Sequence, residues 1–441
     1  MGQHDPRSSS PIRRLALLGL AGTSIEWYDF FLYGVGAALV FPALFFPKSM
    51  PHSLALVASF LTFSFGFIAR PIGGLIFGYI GDRVGRTRAL AIALVLMGLS
   101  TTLIAFLPGY ATLGATAPIL LVVLRIAQGL AIGGQWGGAM LLVVESAPPG
   151  RRGFYGSFPQ VGVPVGVVLA NLAFLAVSAL TSPAEFLSWG WRIPFALSIV
   201  LVGLGLYVHY RVEETPIYRE LLQQSLKARA AQPRSPLWDV FRQYPRMLIL
   251  ATLSHVAINL CFYISITYVM SYGTDAQGLN LPRTTMLGAV LLANAVLPPV
   301  MLAGGALSDR IGRRRTFMIG AALTVAGAFA LFPLIATRSF ALITLGVLVV
   351  SVPVAMMYGP QSALFSELFP TRVRYSGASF SYQTGAILGG GFAPLIATAL
   401  LAQFHTAVAV SCYMAAGCAI SLIAVTLLRE TCGGSLDANA D

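Results

Sequence analysis

Charge is scarce in this chain. Of its 441 residues only 10% are charged and 56% are hydrophobic, whereas a soluble domain carries about 25% charged residues. That leaves too little charged surface for a large soluble globule. Cysteine is also scarce. Cys261, Cys412, Cys418 and Cys432 form no CxxC pair, so neither a metal site nor a disulfide framework is indicated. No GxxxxGK[ST] motif occurs, which removes sequence support for ATP-driven work. No Ser/His/Asp or zinc-ligand spacing stands out either, so no enzyme, cofactor or metal is expected. The net charge of +12 could suggest nucleic acid, but the placement of the basic residues argues otherwise.

Apolar runs fill the chain instead, each near the roughly 20 residues that a bilayer-spanning helix needs. Spans are expected near 15–45, 52–80, 88–108, 117–145, 153–180 and 191–210, then near 245–273, 284–307, 315–336, 340–366, 375–402 and 406–428. Basic residues gather in alternate loops: twenty-two on one side, four on the other, with Arg70 and Arg125 left inside spans. This positive-inside asymmetry places both termini and the central loop in the cytoplasm. The expected protein is an all-α polytopic protein of a bacterial inner (plasma) membrane, with the lipid bilayer rather than nucleic acid as its surroundings. Arginines before the first apolar run imitate a signal peptide. That run carries Glu26 and Asp29 and lacks a small-x-small cleavage site, so it reads as a retained first helix. The organisation expected is a six-helix bundle at 1–210, a cytoplasmic loop at 211–244, a second six-helix bundle at 245–428 and a short cytoplasmic tail at 429–441.

The two halves repeat. GYIGDRVGRTR (Gly78–Arg88) matches GALSDRIGRRR (Gly305–Arg315), and ESAPPGRRG (Glu145–Gly153) matches ELFPTRVRYSG (Glu367–Gly377). Two matched pairs in the same order indicate duplication. Such repeats in membrane proteins build carriers whose site lies between the halves near the midplane.

With these motifs the chain resembles the major facilitator superfamily, in which the Gly-x-x-x-Asp-Arg-x-Gly-Arg loop follows spans 2 and 8. The stretches GTSIEWYDFFLYG, GFIARPIGGLIFGYIGDRVGR, RGFYGSFPQVGVPVG and ELFPTRVRYSGAS are similar to the metabolite:proton symporter family within it. The resemblance implies two pseudo-symmetric six-helix bundles that rock around a central site, moving an organic acid or a zwitterionic osmolyte together with protons. One departure is Gln135 in GGQW, where that family often carries a glutamate. A proton-coupling task at that position would then fall on Glu26 and Asp29. Osmosensing relatives often end in a long coiled coil. The stretch 429–441 has no heptads, which favours the organic acid over betaine or proline.

Glu26 and Asp29 lie three residues apart, on one helical face, and Asp29 is about 22 Å along the axis from Arg14. Intramembrane carboxylates are functional candidates by default, and the pair is expected to carry the proton. The alternative is a purely structural ion pair. Arg125 is the expected partner of Asp29, by resemblance to sugar porters with a similarly placed arginine. Arg70 lies about 18 Å from the cytoplasmic face, too deep to snorkel easily. Its planar fork suits a substrate carboxylate, although a pairing with Glu26 or with neighbouring carbonyls would also use it. Gln160, Asn259, Tyr263 and Gln383 are the preferred polar substrate contacts. Asn171, Tyr268, Asn294 and Tyr382 are weaker candidates, and each of these could equally bond a neighbouring helix. His255 reads equally as a packing residue or a proton relay.

At the cytoplasmic ends of spans, Gly78, Asp82, Arg83, Gly85 and Arg86 and their counterparts Asp309, Arg310 and Arg313 are expected to form a gate with Glu145, Glu367 and Arg374. The alternative there is orientation by positive charge alone. The reading is a monomeric, proton-coupled symporter of a small mono- or dicarboxylate. An osmolyte symporter or a proton-coupled exporter is the alternative.

Overall fold

Lipid offers backbone groups no hydrogen-bonding partner, so a chain this apolar must satisfy them within its own helices. The computed structural model describes residues 9–84, 86–133, 136–213, 237–275, 278–370 and 373–434. The first six long helices are α1 (Ser9–Leu39), α2 (His52–Val84), α3 (Arg86–Ala105), α4 (Thr116–Gly133, resuming as Trp136–Ser146), α5 (Arg152–Leu180) and α6 (Arg192–Glu213). The second six are α7 (Pro245–Thr274), α8 (Arg283–Ile311), α9 (Arg313–Ala336), α10 (Phe340–Leu368), α11 (Arg374–Ala386, resuming as Ala393–Phe404) and α12 (Val408–Leu427). Among the described residues nine helices are long and apolar enough on their own to cross a membrane; α1, α3 and α6 complete the twelve. The ends agree with the sequence expectation to within a few residues.

Among the described residues four helices are interrupted, and in two of them a nearby proline accounts for the break. In α8 the regular helix is interrupted at Val296, just before Pro298 and Pro299. In α10 the break falls at Gly359-Pro360. In α7 and α11 single wide turns, Ile264–Tyr268 and Ile387–Gly391, replace the normal ladder. A wide turn of this kind frees carbonyl groups and commonly marks a functional level. The two wide turns lie on the helices that face each other across the second half, where Gly390 packs on the Tyr263 ring.

Helices meet through glycine, as lipid-embedded bundles require when no hydrophobic effect drives association. Between α2 and α4, a methyl on Gly129 would overlap the Gly66 carbonyl, and one on Gly73 would overlap the Leu130 carbonyl. Between α1 and α5, Gly162 and Gly166 fit against Thr23 and Trp27. The halves touch along several seams: α5 with α8 and α10, α2 with α11, α1 with α7, and the Trp136–Ser146 part of α4 with α10 and α11. The site lies where those seams converge.

The contrast between two glycines tests this packing. Gly129→Ala should cost about 1–3 kcal/mol, because a well-packed backbone contact must open. Gly22→Ala, with nothing within 4 Å of the added methyl, should be neutral or gain up to about 1 kcal/mol of helix propensity. Thermal melting of the purified protein in detergent reads both. A Gly129→Ala protein that melts with the wild type would refute the close α2–α4 contact.

Candidate central binding site

A small cavity sits between the halves. Its lining includes Trp27 of α1, Val163 of α5, Asn259 and Tyr263 of α7, Tyr358 of α10 and Tyr382 of α11. Its volume of about 20 Å³ suffices for about one water molecule, so in this conformation the cavity is contracted.

Arg70, on α2, stands behind Trp27 and Tyr263. It is 1% exposed. Its guanidinium carbon lies 4.2 Å from the Phe67 ring centre, 4.4 Å from Phe30 and 5.4 Å from Trp27. Its Nε and Nη2 have no hydrogen-bond acceptor. Aromatic faces attract the cation and the Tyr263 hydroxyl accepts a hydrogen bond from it, but Nε and Nη2 are left unused. Tyr263, Tyr358 and His255 all lie within electrostatic reach of this charge. The Tyr358 and Tyr382 hydroxyls bond each other at 2.8 Å. The His255 ring stacks on Tyr382 with centres 4.4 Å apart, and its Nδ1 meets the Gln361 amide. Arg70, Tyr263, His255, Tyr358 and Tyr382 therefore form one polar cluster that crosses the interface between halves.

The expected Arg125–Asp29 pair is not formed in this conformation. Arg125 is fully buried and held otherwise: Nε donates to the Phe63 carbonyl at 3.4 Å and Nη1 to Gln128 Oε1 at 3.0 Å. Gln128 in turn donates to Thr101 at 2.7 Å. Phe30 and Tyr33 cover the guanidinium at 4.0 and 4.3 Å. The reason is azimuth. Residues 30 and 33 of α1 face Arg125, while position 29 turns toward α6. There the Asp29 carboxyl is fully buried, neither oxygen has a hydrogen-bond donor, and Ser198 is the polar side chain acting on it. Glu26 is half-buried on the same helix.

The remaining polar candidates divide. Asn259 lines the cavity and donates Nδ2 to the His255 carbonyl at 3.1 Å. Gln160 is buried beside it and donates Nε2 across the interface to the Tyr358 carbonyl at 3.4 Å. Gln383 is buried, with Oε1 lacking a donor. Asn171 and Asn294 only donate back to their own helices, to Val167 and Val290. Tyr268 is buried, its hydroxyl without a partner. Sequence reasoning passed over Trp27 and Tyr358. The available signals were Trp27 beside Glu26, and Tyr358 directly before the Gly359-Pro360 break.

At the arginine-rich end of the bundle the halves are tied by ionic contacts. Asp309 accepts the Gly153 and Phe154 backbone N–H groups at 2.8 and 2.9 Å, and Arg313 at 2.6 Å. Arg313 reaches Glu367 through two bonds of 3.2 and 3.1 Å, the bidentate form that adds directional strength. Arg374 pairs with Glu145 across the halves at 3.3 Å, and Ser362 donates to the Gly156 carbonyl at 2.7 Å. Arg310 is exposed. Gly78, Asp82, Arg83, Gly85 and Arg86, like Gln135, lie outside the residues whose side chains are described. The segment after α12 joins the same network. Glu430 accepts the backbone N–H groups of Arg313, Arg314, Thr431 and Cys432. Thr431 donates to Glu367 at 2.8 Å, and Arg152 of the first half donates to the Gly434 carbonyl at 2.8 Å.

Known proteins share this arrangement. A family profile described as Major Facilitator Superfamily matches residues 30–384 and 302–433. The inner membrane metabolite transport protein YhjE of Escherichia coli is 42% identical over 425 residues, covering 95% of this chain and 94% of that one. The Escherichia coli shikimate transporter is 40% identical over 433 residues, covering 96% of each. The proline/betaine transporter of the same organism is 32% identical over 425 residues, covering 95% of this chain and 84% of that one. Among solved structures, the inward-open xylose transporter XylE of Escherichia coli aligns with a TM-score of 0.76 at 21% identity, over 97% of this chain and 99% of that one.

Glu430 makes the tail contact testable. Burial alone would raise its carboxyl, but the N–H donors of Cys432, Arg313, Arg314 and Thr431 outweigh that and hold it below the usual carboxylate range. A depressed carboxyl contributes stability that is present above its unfolded value, about 4.3, and is lost as pH falls through the folded one. Glu430→Gln should therefore lower the melting midpoint at pH 7 by about 1–2 °C, and the gap to wild type should close below about pH 4. Equal midpoints at pH 7 would show that the cap contributes nothing.

Proposed function

The chain belongs to the major facilitator superfamily, and from that premise we propose that it is a proton-coupled symporter importing a small organic acid across the inner membrane. It works as a monomer, with both termini and the 211–244 segment in the cytoplasm. The observation that carries the anion is Arg70: a buried guanidinium beside the cavity with two donor groups unused and no carboxylate within ion-pair distance among the described residues. A substrate carboxylate supplies the missing acceptors in the planar geometry that a guanidinium prefers.

The osmolyte alternative is less well supported. A quaternary ammonium would need an aromatic cage, and the aromatic faces here already hold cations. Phe67, Phe30 and Trp27 surround Arg70, while Phe30, Tyr33 and Phe63 surround Arg125. The relatives that transport proline and betaine are also the more distant of those compared.

Asp29 carries the proton in this reading. Its charge state decides whether α1 and α6 pack around a neutral group or a bare charge, a large difference in a low-dielectric interior. The ties at the arginine-rich end would act as the cytoplasmic gate that opens to release substrate.

In right-side-out vesicles with an imposed inward proton gradient, wild type should accumulate its acid several-fold over the level without a gradient. Asp29→Asn should lose the accumulation and keep exchange of labelled for unlabelled substrate. Arg70→Gln should lose both. Gradient-driven accumulation by Asp29→Asn would remove Asp29 from coupling, and accumulation driven outward would identify an exporter.

A further inference from the structure

We infer that the site selects a hydroxylated carboxylate, with Asn259 and Gln160 reading the hydroxyl groups. This rests on the reading of Arg70 as the carboxylate anchor and names the rest of the ligand. The argument is a count of donors and acceptors whose orientation is chemically fixed. Asn259 donates through Nδ2 to the His255 backbone carbonyl. A carbonyl can only accept, so the amide cannot be turned around, and the polar atom that Asn259 presents to the cavity is its Oδ1 acceptor. The same logic holds for Gln160. Its Nε2 donates to the Tyr358 carbonyl, which leaves Oε1 as a buried acceptor with no donor. Gln160 lies one helical turn from Val163, which lines the cavity.

The two walls therefore ask for opposite things, Asn259 standing in the lining itself and Arg70 and Gln160 in the layer behind it. Arg70, from the first half, has donors without acceptors. Asn259, from the second half, and Gln160, at the interface, have acceptors without donors. A simple carboxylate satisfies only the first wall and leaves the amide oxygens buried and unpaired on binding, which sites of this kind reject strongly. The donors that meet the amide oxygens are neutral ones. An ammonium would also donate, but it needs a counter-charge, and no acidic side chain is among the described residues lining the cavity. A hydroxyl needs none. The Tyr358–Tyr382 pair adds to the same wall, because two hydroxyls that share one bond retain a proton to donate and lone pairs to accept.

The test uses the full chain in detergent and isothermal titration with matched pairs of acids: shikimate against cyclohex-1-enecarboxylate, glycerate against propionate, and malate against succinate. For at least one pair, the hydroxylated member should bind wild type ten-fold or more tightly than its deoxy partner. Asn259→Leu should bring that ratio below three. The wild-type ratio stands as a measurement even where the variant does not fold. Deoxy members binding as tightly as their partners in every pair would overturn the inference, as would a folded Asn259→Leu protein with an unchanged ratio. So would a panel in which no acid binds while glycine betaine does. Arg70→Gln separates the two readings. If it abolishes binding of all the acids while the hydroxyl preference is absent in wild type, the carboxylate anchor stands and the hydroxyl reading falls. If it leaves acid binding intact, the anchor itself is wrong.

Discussion

The bundle is organised around two arginines buried without carboxylate partners among the described residues. A cation in a membrane interior is expensive, and this chain spends much of its first half on accommodating Arg70 and Arg125. Phe30, Tyr33, Phe63, Phe67 and Trp27 supply ring faces, Gln128 and the Phe63 carbonyl supply acceptors, and the glycines of α2 and α4 bring the two cation-bearing helices together. Gly66 sits directly against the Arg125 side chain, where a methyl would lie 2.5 Å from Nε. Arg125 is largely satisfied by these neighbours, whereas Arg70 is not, and the cavity is next to Arg70.

The ties between halves are distributed unequally. At the arginine-rich end they are ionic and numerous: Asp309 with two backbone donors, Arg374 with Glu145, and Arg152 with the Gly434 carbonyl. At the opposite end they are lighter. Arg283 lies 4.0 Å from the Phe186 ring centre, and nearer the cavity Ser64 donates to the Gly391 carbonyl at 2.5 Å. Both sets are formed in this conformation, and the cavity between them is small. In the proposed transport cycle, opening either end would give up one set of ties. The segment after α12 strengthens only one set, since Glu430 and Thr431 brace Arg313 and Glu367.

Much of the fold was legible in the sequence because the bilayer reduces it to run length and charge placement. Arg70 and Arg125 could be assigned to spans, and Asp309, Arg313, Glu367, Glu145 and Arg374 to one end, from spacing alone. Rotation about each helix axis was not legible. The Asp29–Arg125 pairing failed there: the spacing of α1 is compatible with several azimuths, and packing against α5 through Gly162 and Gly166 chooses one that turns Asp29 to α6. Tyr358 was missed for a similar reason. Its reach into the cavity depends on the break at Gly359-Pro360, which periodicity alone does not place in three dimensions.

That azimuth has a mechanical consequence. On α1, Trp27 faces the cavity, Phe30 and Tyr33 cover the two arginines, and Asp29 faces Ser198 on α6. One residue, Tyr28, separates the cavity wall from the buried carboxyl, on different sides of one helix. In the proposed mechanism a proton at Asp29 would therefore act on a ligand at Arg70 through α1 rather than by direct contact. Any change in how α1 packs on α6 moves Trp27 and Phe30, and with them the aromatic shell that holds the Arg70 guanidinium. A helix shared by both sites is a physical element that each can bias. In the proposed mechanism it would let substrate and proton be coupled without competing for the same charge, which a direct Asp29–arginine pair at the ligand would not allow.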